Sequence, residues 1–497
     1  NLVEQASLPA WYPRGEAPIL ANLVEQGLLP PVAQRVGPEP VVLEGPDGPG
    51  NYGGTWLRLA STVNDINTVM GGRLSHTGLF RWSPLGYPVR PHLAVSCEAS
   101  SDNRSFVVTL RRGVRWSDGE PFDADDILYI WNHEILDSDV TTGTPPGWIN
   151  IRGEPPTLEK LGPHRIRFTY SAPAGLFLEV MATHSYLFSQ APEHYLRQYH
   201  PTLGNDETIE ATLESTRLSS RRSLYAYMKD FSNPLHPRLW PWVYRTYRTV
   251  PPQVYIRNPY YFAVDPQGRQ LPYIDRVQFD VQDAKQIPIS AANGQITMQA
   301  RHLRYENYTE LMSRREAAGT RILHWYPATR TGYVISPNMN RRVDPRDPST
   351  EWKARLLARA PFRQALSLAI DRETIIRAEY NGQVTASQLA PGPESPFRHD
   401  RLAEAFIEHD PARANELLDV LWEELGADPD ARDREGYRKF PDGSRMVFYL
   451  DFCEFTGIGP TQFVVDDWGE VGVRTVPRQR DRSLFYMEKA AGTFDFN

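Results

Sequence analysis

The sequence predicts an α/β protein with more than one lobe, and three observations indicate this. The chain has 497 residues, which exceeds the length at which a single hydrophobic core stops growing. Its first half carries short stretches with the two-residue alternation of β-strands, whereas its second half carries apolar residues at the spacing of amphipathic helices. Together they predict an α/β chain of two or three lobes.

The first 50 residues predict an arm rather than part of a core. The text NLVEQASLPA at Asn1 recurs as NLVEQGLLPP at Asn22, and each copy predicts a short helical turn that a proline ends. Two copies cannot stack into a repeat array, so we expect residues 1–50 to lie on a lobe as an irregular arm. The glycines at 48, 50 and 53 fit GxGxxG, but no strand precedes them and no helix follows, which favours a turn over a dinucleotide site.

A strand, two turns and a capped helix follow one another between residues 105 and 135. The alternation in 105–110 predicts a strand with one buried face, after a first strand over residues 55–59. Arg-Gly at 112–113 predicts a hairpin turn and Asp-Gly at 118–119 a second turn. Asp123 stands where a helix N-cap belongs, with two further aspartates in the first helical turn. Turn formation and helix capping account for these aspartates. Trp116 and Trp131 are expected in the core.

The second half carries the clearest helix signals. Apolar residues at i, i+3, i+4, i+7 and i+8 from Phe362 predict one helix, with Pro361 in its first turn. Asp371 is expected to cap a second helix that ends at Asn-Gly 381–382, and Asp410 a third. Hairpin strands around residues 441–443 and a strand near Val473 complete an α/β lobe. Because the pattern turns helical after residue 281, we place a lobe boundary there.

Composition and charge exclude several classes of protein. A net charge of −7 and a pI near 6.0 provide no basic field for nucleic acid, so no nucleic-acid partner is expected. No apolar run is long enough to span a bilayer, and no signal peptide is included in this sequence. Cys97 and Cys453 form no CxxC pair, which argues against a thiolate metal site or a redox centre and leaves the state of both thiols open.

Catalytic motifs are missing from the sequence. His133-Glu134 lacks the second histidine of HExxH, and neither a GxSxG elbow nor a Walker A sequence occurs. Two carboxylates for glycoside hydrolysis can be found among 61 acidic residues in any chain of this size, so they carry no information. We therefore expect no enzyme, no cofactor and no metal, with a carboxylate-dependent glycoside hydrolase as the remote alternative.

Residues 110–132, LRRGVRWSDGEPFDADDILYIWN, resemble the signature of the family 5 extracellular solute-binding proteins of ABC importers. Four more segments are similar to landmarks of that family and occur in the family's order. They are GGTWLRLA at Gly53, YYFAVDPQGRQLPYIDRVQF at Tyr260, PFRQALSLAIDRETI at Pro361 and HDPARANELLD at His409. Five separated segments make a chance resemblance improbable.

The resemblance implies a large two-lobed periplasmic-binding-protein fold of class II with an extra subdomain in lobe I. We expect an arm over 1–50, lobe I over 51–280 with an inserted subdomain at about 80–215, and lobe II over 281–497. In the family the chain returns to lobe I and adds a Trp-x-x-Asp-like anchor for a peptide's amino terminus. Because this sequence stops at Asn497, we expect that return segment to be missing and lobe II to be incomplete.

The resemblance also implies the function. We expect an extracytoplasmic monomer, periplasmic or anchored as a lipoprotein, that captures a small solute in an interlobe cleft and delivers it to ABC permease subunits in the membrane. An oligopeptide is the leading solute, and an oligosaccharide is the alternative that 12 tryptophans and 24 tyrosines favour.

Aromatic and amide side chains are the candidate ligand-binding residues, because flat rings give large contact areas and amides give oriented hydrogen bonds. Ordinary packing in the core or in loops is the competing explanation for each of them. The candidates are Trp82, Trp325, Tyr326, Tyr333, Asn338 and Asn340.

Overall fold

The computed structural model describes residues 9–84, 86–246, 252–324, 332–393, 395–453 and 458–497. Its contacts divide the chain into two units. Unit 1 comprises Asn1–Leu303 with Glu310–Arg321, and unit 2 comprises Arg304–Thr309 with Ile322–Asn497. These units describe contacts within the chain, and the predicted bounds of the arm, the two lobes and the subdomain remain predictions.

Unit 1 contains twelve strands in its described part, and most belong to two four-stranded sheets. One sheet has the order β2-β12-β10-β9, and the other has the order β5-β6-β8-β7. The strands are β1 Val41–Val42, β2 Thr55–Ala60, β3 Phe80–Trp82, β4 Val89–Pro91, β5 Ala94–Ala99, β6 Ser105–Leu110, β7 Thr157–Gly162, β8 Arg165–Thr169, β9 Trp242–Tyr244, β10 Gln253–Arg257, β11 Ala263–Val264 and β12 Arg276–Val281.

Helices cover these sheets, and two of them continue into π-helical turns, Met70–Leu74 after α3 and Trp131–Ile135 after α4. The last helix of this group, α10, carries the chain across the division between the units. The helices are α1 Pro18–Glu25, α2 Val32–Val36, α3 Val63–Val69, α4 Ala124–Ile130, α5 Phe177–His184, α6 Glu193–Leu196, α7 Asp206–Thr216, α8 Arg221–Lys229, α9 Ile287–Ala292 and α10 Tyr308–Arg314.

The predicted strand and capped helix of the 105–135 region are confirmed. Strand β6 alternates buried and half-buried residues, and Asp123 caps α4 in a reciprocal capping box with Asp126. Both predicted turns are present, but the turn at 112–113 joins no hairpin, and the hairpin turns at 118–119, where Trp116 N–H donates to Glu120 O at 2.8 Å. Gly113 has φ +80° and packs against Gly37 and Pro38, which leave no room for a Cβ atom.

The arm is fastened to unit 1 by a buried arginine. Arg35 is fully buried and donates to the main-chain oxygens of Pro30 and Pro259, to Gln270 and to Glu16. Burial lowers the pKa of Arg35, while Glu16 acts in the opposite direction. Removing this guanidinium would therefore strand several buried acceptors.

Unit 2 is built from helices around one parallel strand pair, β13 Phe448–Phe452 with β14 Thr475–Gln479. Helices α12 and α15 pack against each other in its core. No helix in the described ranges of the chain has the length and apolarity needed to cross a bilayer. The helices are α11 Ser349–Ala358, α12 Ala360–Ala369, α13 Arg372–Tyr380, α14 Asp400–Ala403, α15 Pro411–Glu424, α16 Gly459–Glu470 and α17 Arg482–Ala491.

The helix boundaries predicted in this half are confirmed. Asp371 and Asp410 accept hydrogen bonds from main-chain N–H groups three residues on, and α13 stops at Asn381 with a left-handed φ of +51°. The expected hairpin strands around 441–443 are wrong, because in the described chain this turn carries only an isolated bridge between Lys439 and Arg445. The predicted strand near Val473 is β14.

Candidate functional site

Unit 2 contains a cavity of about 1180 Å³, and we call it the unit 2 cavity. It lies beside helices α12 and α13 and the segments 332–339 and 383–393. Ligand pockets in proteins typically have ~300–1,000 Å³, so this space accommodates an elongated solute of several residues or rings. Its side chains fall into three groups, a rigid polar floor, arginines and uncharged polar or aromatic groups.

The floor is organised by Ser367, on the last turn of α12. Its hydroxyl donates to Phe406 O at 2.7 Å and accepts from Arg372 at 2.8 Å and from Gln388 at 2.9 Å. Arg372 also donates to Ser367 O at 2.8 Å. Burial lowers the pKa of Arg372, and Glu408 and Asp467 oppose that shift. Three elements are thereby held together, which gives the cavity a preorganised floor.

The other two arginines of the lining are also bonded within the protein. Arg363 donates to Leu357 O at 2.7 Å. Arg398 pairs with Asp400 at 2.7 Å and donates to Pro391 O at 3.1 Å. Glu404 is the one acidic residue among the described lining residues, and it is exposed. Arg398 is therefore ion-paired, whereas Arg363 and Arg372 are held in place by hydrogen bonds to neutral oxygens.

Three uncharged polar groups of the lining, by contrast, form no hydrogen bond with the described protein. Among the described residues, no partner contacts the side-chain amides of Gln364 and Gln383 or the Tyr380 hydroxyl through a hydrogen bond. The Tyr380 ring packs edge to face on Tyr305 with the two ring centroids 5.5 Å apart. Tyr305 also approaches His324, with the hydroxyl 3.5 Å from Nδ1. Open amides and hydroxyls beside aromatic rings suit a solute rich in hydroxyl or amide groups.

Of the six predicted ligand residues, Tyr333 lines the unit 2 cavity. Its hydroxyl lies 2.8 Å from Thr461 Oγ1, and burial raises the pKa of Tyr333 to about 12. Asn338 is buried, and its amide donates to the main-chain oxygens of Gly492 and Phe494 at 3.1 and 2.8 Å. Asn340 is exposed next to it and donates its N–H to Asn338 Oδ1. Asn338 therefore fastens the last residues of unit 2.

The remaining three candidates do not belong to this cavity's described lining. Trp82 lies in unit 1 on β3, where its indole N–H donates to Thr183 Oγ1 at 2.9 Å. Trp325 and Tyr326 lie outside the described residues. A solute contact for these residues, and for Asn338 and Asn340, stays a prediction.

Tyr305, Gln364 and Tyr380 line the cavity but were not predicted from the sequence. Gln364 falls between the core positions of α12, so a polar stripe of Arg363, Gln364 and Ser367 on that helix was the signal that could have found it. Tyr305 and Tyr380 lie far apart in sequence, and no local pattern brings them together.

One group of side chains in the described part of the chain has the spacing of metal ligands, with ligand atoms of His133, Asp137 and His200 within 4.8 Å of one another. The main chain already uses both ring nitrogens of His200. Nε2 lies 2.8 Å from His133 O, and Nδ1 lies 3.3 Å from the N–H groups of Thr202 and Leu203. Since an N–H can only donate, Nδ1 is the acceptor, and we assign no metal to this group. Neither Cys97 nor Cys453 forms a disulfide bond in the described part of the chain.

The class of protein follows from comparison with known families. Residues 88–497 match the model of the bacterial extracellular solute-binding proteins, family 5 Middle. The chain belongs to this family, and the α/β, two-lobed periplasmic-binding-protein fold predicted for it is confirmed. It is a solute-binding protein of ABC import, and its family consists of binding proteins rather than enzymes.

Three individual proteins are similar to this chain over most of its length. The periplasmic alpha-galactoside-binding protein of Rhizobium meliloti (strain 1021) is 28% identical over 516 aligned residues, which cover 96% of this chain and 69% of that protein. A structure of an oligopeptide-binding protein OppA is 34% identical, with a TM-score of 0.73 and coverage of 98% of this chain and 75% of that one. The stachyose complex of the periplasmic binding protein MelB from Agrobacterium fabrum C58, 24% identical with a TM-score of 0.71, covers 97% of this chain and 73% of its own and supports the fold.

Proposed function

We propose that this protein captures a neutral oligosaccharide, and that the unit 2 cavity supplies part of its binding surface. One observation carries the proposal. The arginines of the cavity are bonded to protein groups, whereas Gln364, Gln383 and Tyr380 keep uncharged polar atoms open beside aromatic rings. Sugar hydroxyls pair with such groups without any charge, and the apolar face of a sugar ring packs on tyrosine.

The relatives support two solutes without deciding between them. The Rhizobium relative, whose alignment covers 96% of this chain, is named for binding alpha-galactosides. The OppA structure, which has the higher sequence identity, is named for binding oligopeptides. A peptide needs charged partners for its two termini, and the bonded state of the lining arginines favours the sugar. The oligopeptide stays the second candidate, because the open carboxylate of Glu404 would suit an amino terminus.

Calorimetric titration of the full chain tests the proposal. Stachyose and raffinose are compared with tetraalanine and with a peptide of mixed sequence, at equal ionic strength. We expect the oligosaccharides to bind at least tenfold more tightly than the peptides, which corresponds to about 1.4 kcal/mol. Tight binding of peptides with no response to either sugar would contradict the proposal and favour the oligopeptide function.

The wider assignment follows from membership of the family. We propose that the protein works outside the cytoplasm as a monomer, and that its loaded form docks on ABC permease subunits. It carries out no chemistry on the solute, since a glycoside hydrolase needs two acidic groups across the substrate, and Glu404 is the single acid in the cavity's described lining. Thin-layer analysis of stachyose after long incubation tests this, because any cleavage product would indicate an enzyme.

A further inference from the structure

Gln388 lies in the segment 383–393, which forms one wall of the unit 2 cavity. Its main-chain N–H donates to Ala403 O at 2.7 Å, and its carbonyl oxygen accepts from the Ser387 hydroxyl at 2.8 Å. The side chain is half-buried and belongs to the lining of the cavity. The two main-chain hydrogen bonds therefore hold this side chain at a fixed place in the wall.

The side-chain amide of Gln388 can adopt only one orientation. Its nitrogen Nε2 lies 2.8 Å from Ala405 O and 2.9 Å from Ser367 Oγ. A carbonyl oxygen only accepts, so the amide must turn its nitrogen towards Ala405. Ser367 Oγ has a single proton, which it donates to Phe406 O at 2.7 Å, while Arg372 donates to it at 2.8 Å. The serine oxygen must therefore also accept from the Gln388 nitrogen.

This orientation leaves the amide oxygen of Gln388 for a ligand. Both N–H bonds of the amide are used by the protein, and within the described chain no hydrogen bond reaches Oε1. Oε1 is also not one of the polar atoms that lack both a partner and accessible surface. The oxygen is therefore accessible on a residue that lines the cavity, and it can accept hydrogen bonds but not donate them.

The other open polar groups of the cavity are less selective. The amides of Gln364 and Gln383 form no hydrogen bonds with the described protein, so rotation by half a turn exchanges their donor and acceptor. The Tyr380 hydroxyl both donates and accepts. The same rotation of Gln388 would break two hydrogen bonds and would place its oxygen against Ala405 O. Gln388 thus differs from these groups, because it demands a donor from the solute.

We propose that Gln388 is a specificity-determining residue of the unit 2 cavity, and that it selects solutes that present a neutral donor to Oε1. A deoxy, methylated or ionised oxygen has no proton to donate, and it would leave the amide oxygen desolvated without a partner. The proposal rests on the function proposed above, since it concerns the same cavity. The donor has two sources, a sugar hydroxyl or a peptide N–H, and two series of probes separate them.

Each series removes one donor at a time from a parent solute. Raffinose is compared with analogues in which a single hydroxyl is replaced by fluorine, and tetraalanine with analogues methylated at a single peptide nitrogen. Calorimetric titration of the full chain gives the affinities. In one of the series we expect at least one analogue to bind the wild type about tenfold more weakly than its parent, which corresponds to about 1.4 kcal/mol. The series that discriminates identifies the source of the donor.

Substitutions locate the discrimination at Oε1. In Gln388→Met the same analogue should bind within about twofold of its parent, because neither solute then finds an acceptor. Gln388→Glu keeps an accepting oxygen and should keep the discrimination, although it loses the donor to Ala405 O and should unfold at a lower urea concentration. The control is Gln462→Met, which changes an exposed glutamine of α16 outside the lining and should behave as the wild type.

A merely structural role for Gln388 would give a different pattern. Its loss would then weaken parent and analogue by the same factor, and the discrimination seen in the wild type would persist in Gln388→Met. That result overturns the proposal, as does loss of the discrimination in Gln388→Glu, an absence of discrimination in the wild type, or failure of both parents to bind. Failure of raffinose alone contradicts the neutral oligosaccharide function, and the peptide series then decides the role of Gln388 by itself.

Discussion

The two units treat buried charge differently. In unit 2 the buried carboxylate of Asp495 is neutralised by Lys353 at 2.8 Å and Arg341 at 2.7 Å, and the arginines of the cavity are bonded as well. In unit 1 Asp65 is neutralised in the same way, but Arg58 beside it is not. Since an unpaired buried charge opposes folding, we expect its presence in unit 1 to lower the stability of that unit.

The largest expected effect comes from removing the partner of a buried charge in unit 2. Asp495→Asn leaves Lys353, 4% exposed at its side chain, without its counter-charge, so we expect a loss of about 3–5 kcal/mol of unfolding free energy in urea titrations. Asp344→Asn is the matched control, because Asp344 pairs with an Arg346 that is 91% exposed, so this substitution should change the unfolding free energy far less. Equal effects of the two substitutions would contradict the expectation that the buried ion pair contributes more than the exposed one.

A pH-dependent effect of about 2 kcal/mol is expected from Asp65 in unit 1. Burial alone would raise its pKa, but the bond from His302, the Ser61 N–H and the charge of Arg301 together lower it from 3.8 to about 2. A lowered pKa means that the carboxylate stabilises the fold above pH 4 and loses this contribution as the pH falls towards 2. The stability difference between the wild type and Asp65→Asn, measured by urea titration, should shrink over that interval, and a constant difference would contradict the assignment.

A smaller effect concerns binding in unit 2. Tyr380→Phe removes a hydroxyl that has no hydrogen-bond partner in the protein and leaves all charged groups paired as before. We expect the affinity for stachyose to fall by about threefold to tenfold, the value of one neutral hydrogen bond, with an unchanged free energy of unfolding. Tyr437→Phe, in the same unit but outside the cavity lining, is the control and should leave the affinity as it is. A loss of stability in place of affinity would show that Tyr380 serves packing.

The smallest effect is expected at Trp82 in unit 1. Trp82→Phe removes the hydrogen bond to Thr183 and should lower the unfolding free energy by about 0.5–1.5 kcal/mol. We expect unchanged affinity for stachyose, because the indole N–H is already used by the protein. A fall in calorimetric affinity would restore Trp82 to the solute contacts predicted from the sequence.

Local signals explain which parts of the fold could be predicted. Asp123, Asp371 and Asp410 were identified as caps because a cap depends on its own main-chain neighbours within three residues. The hairpin predicted at Gly113 was wrong for the opposite reason. The left-handed φ of Gly113 serves a contact with Gly37, which is distant in sequence.

The candidate site and the unpaired arginine were harder to predict, because their contacts form only in the folded chain. Tyr305 and Tyr380 come together through packing of unit 2, and neither has a signature of its own. Arg58 stands in a strand, TWLRLA, that is apolar on both faces, so the sequence does not say which face buries the arginine. Only the register with β12 and β10 sets Arg58 in a row with Gln253.

The same register has a consequence for how the protein is made. Strand β2 pairs in parallel with β12, Thr55 opposite Arg276, and β1 pairs with β11, Val41 opposite Ala263. A ribosome must therefore reach Arg276 before strand β2 can pair with β12 in this sheet of unit 1. Pairing across such sequence distances is slow, so strands β1 and β2 of the nascent chain stay unpaired for longer.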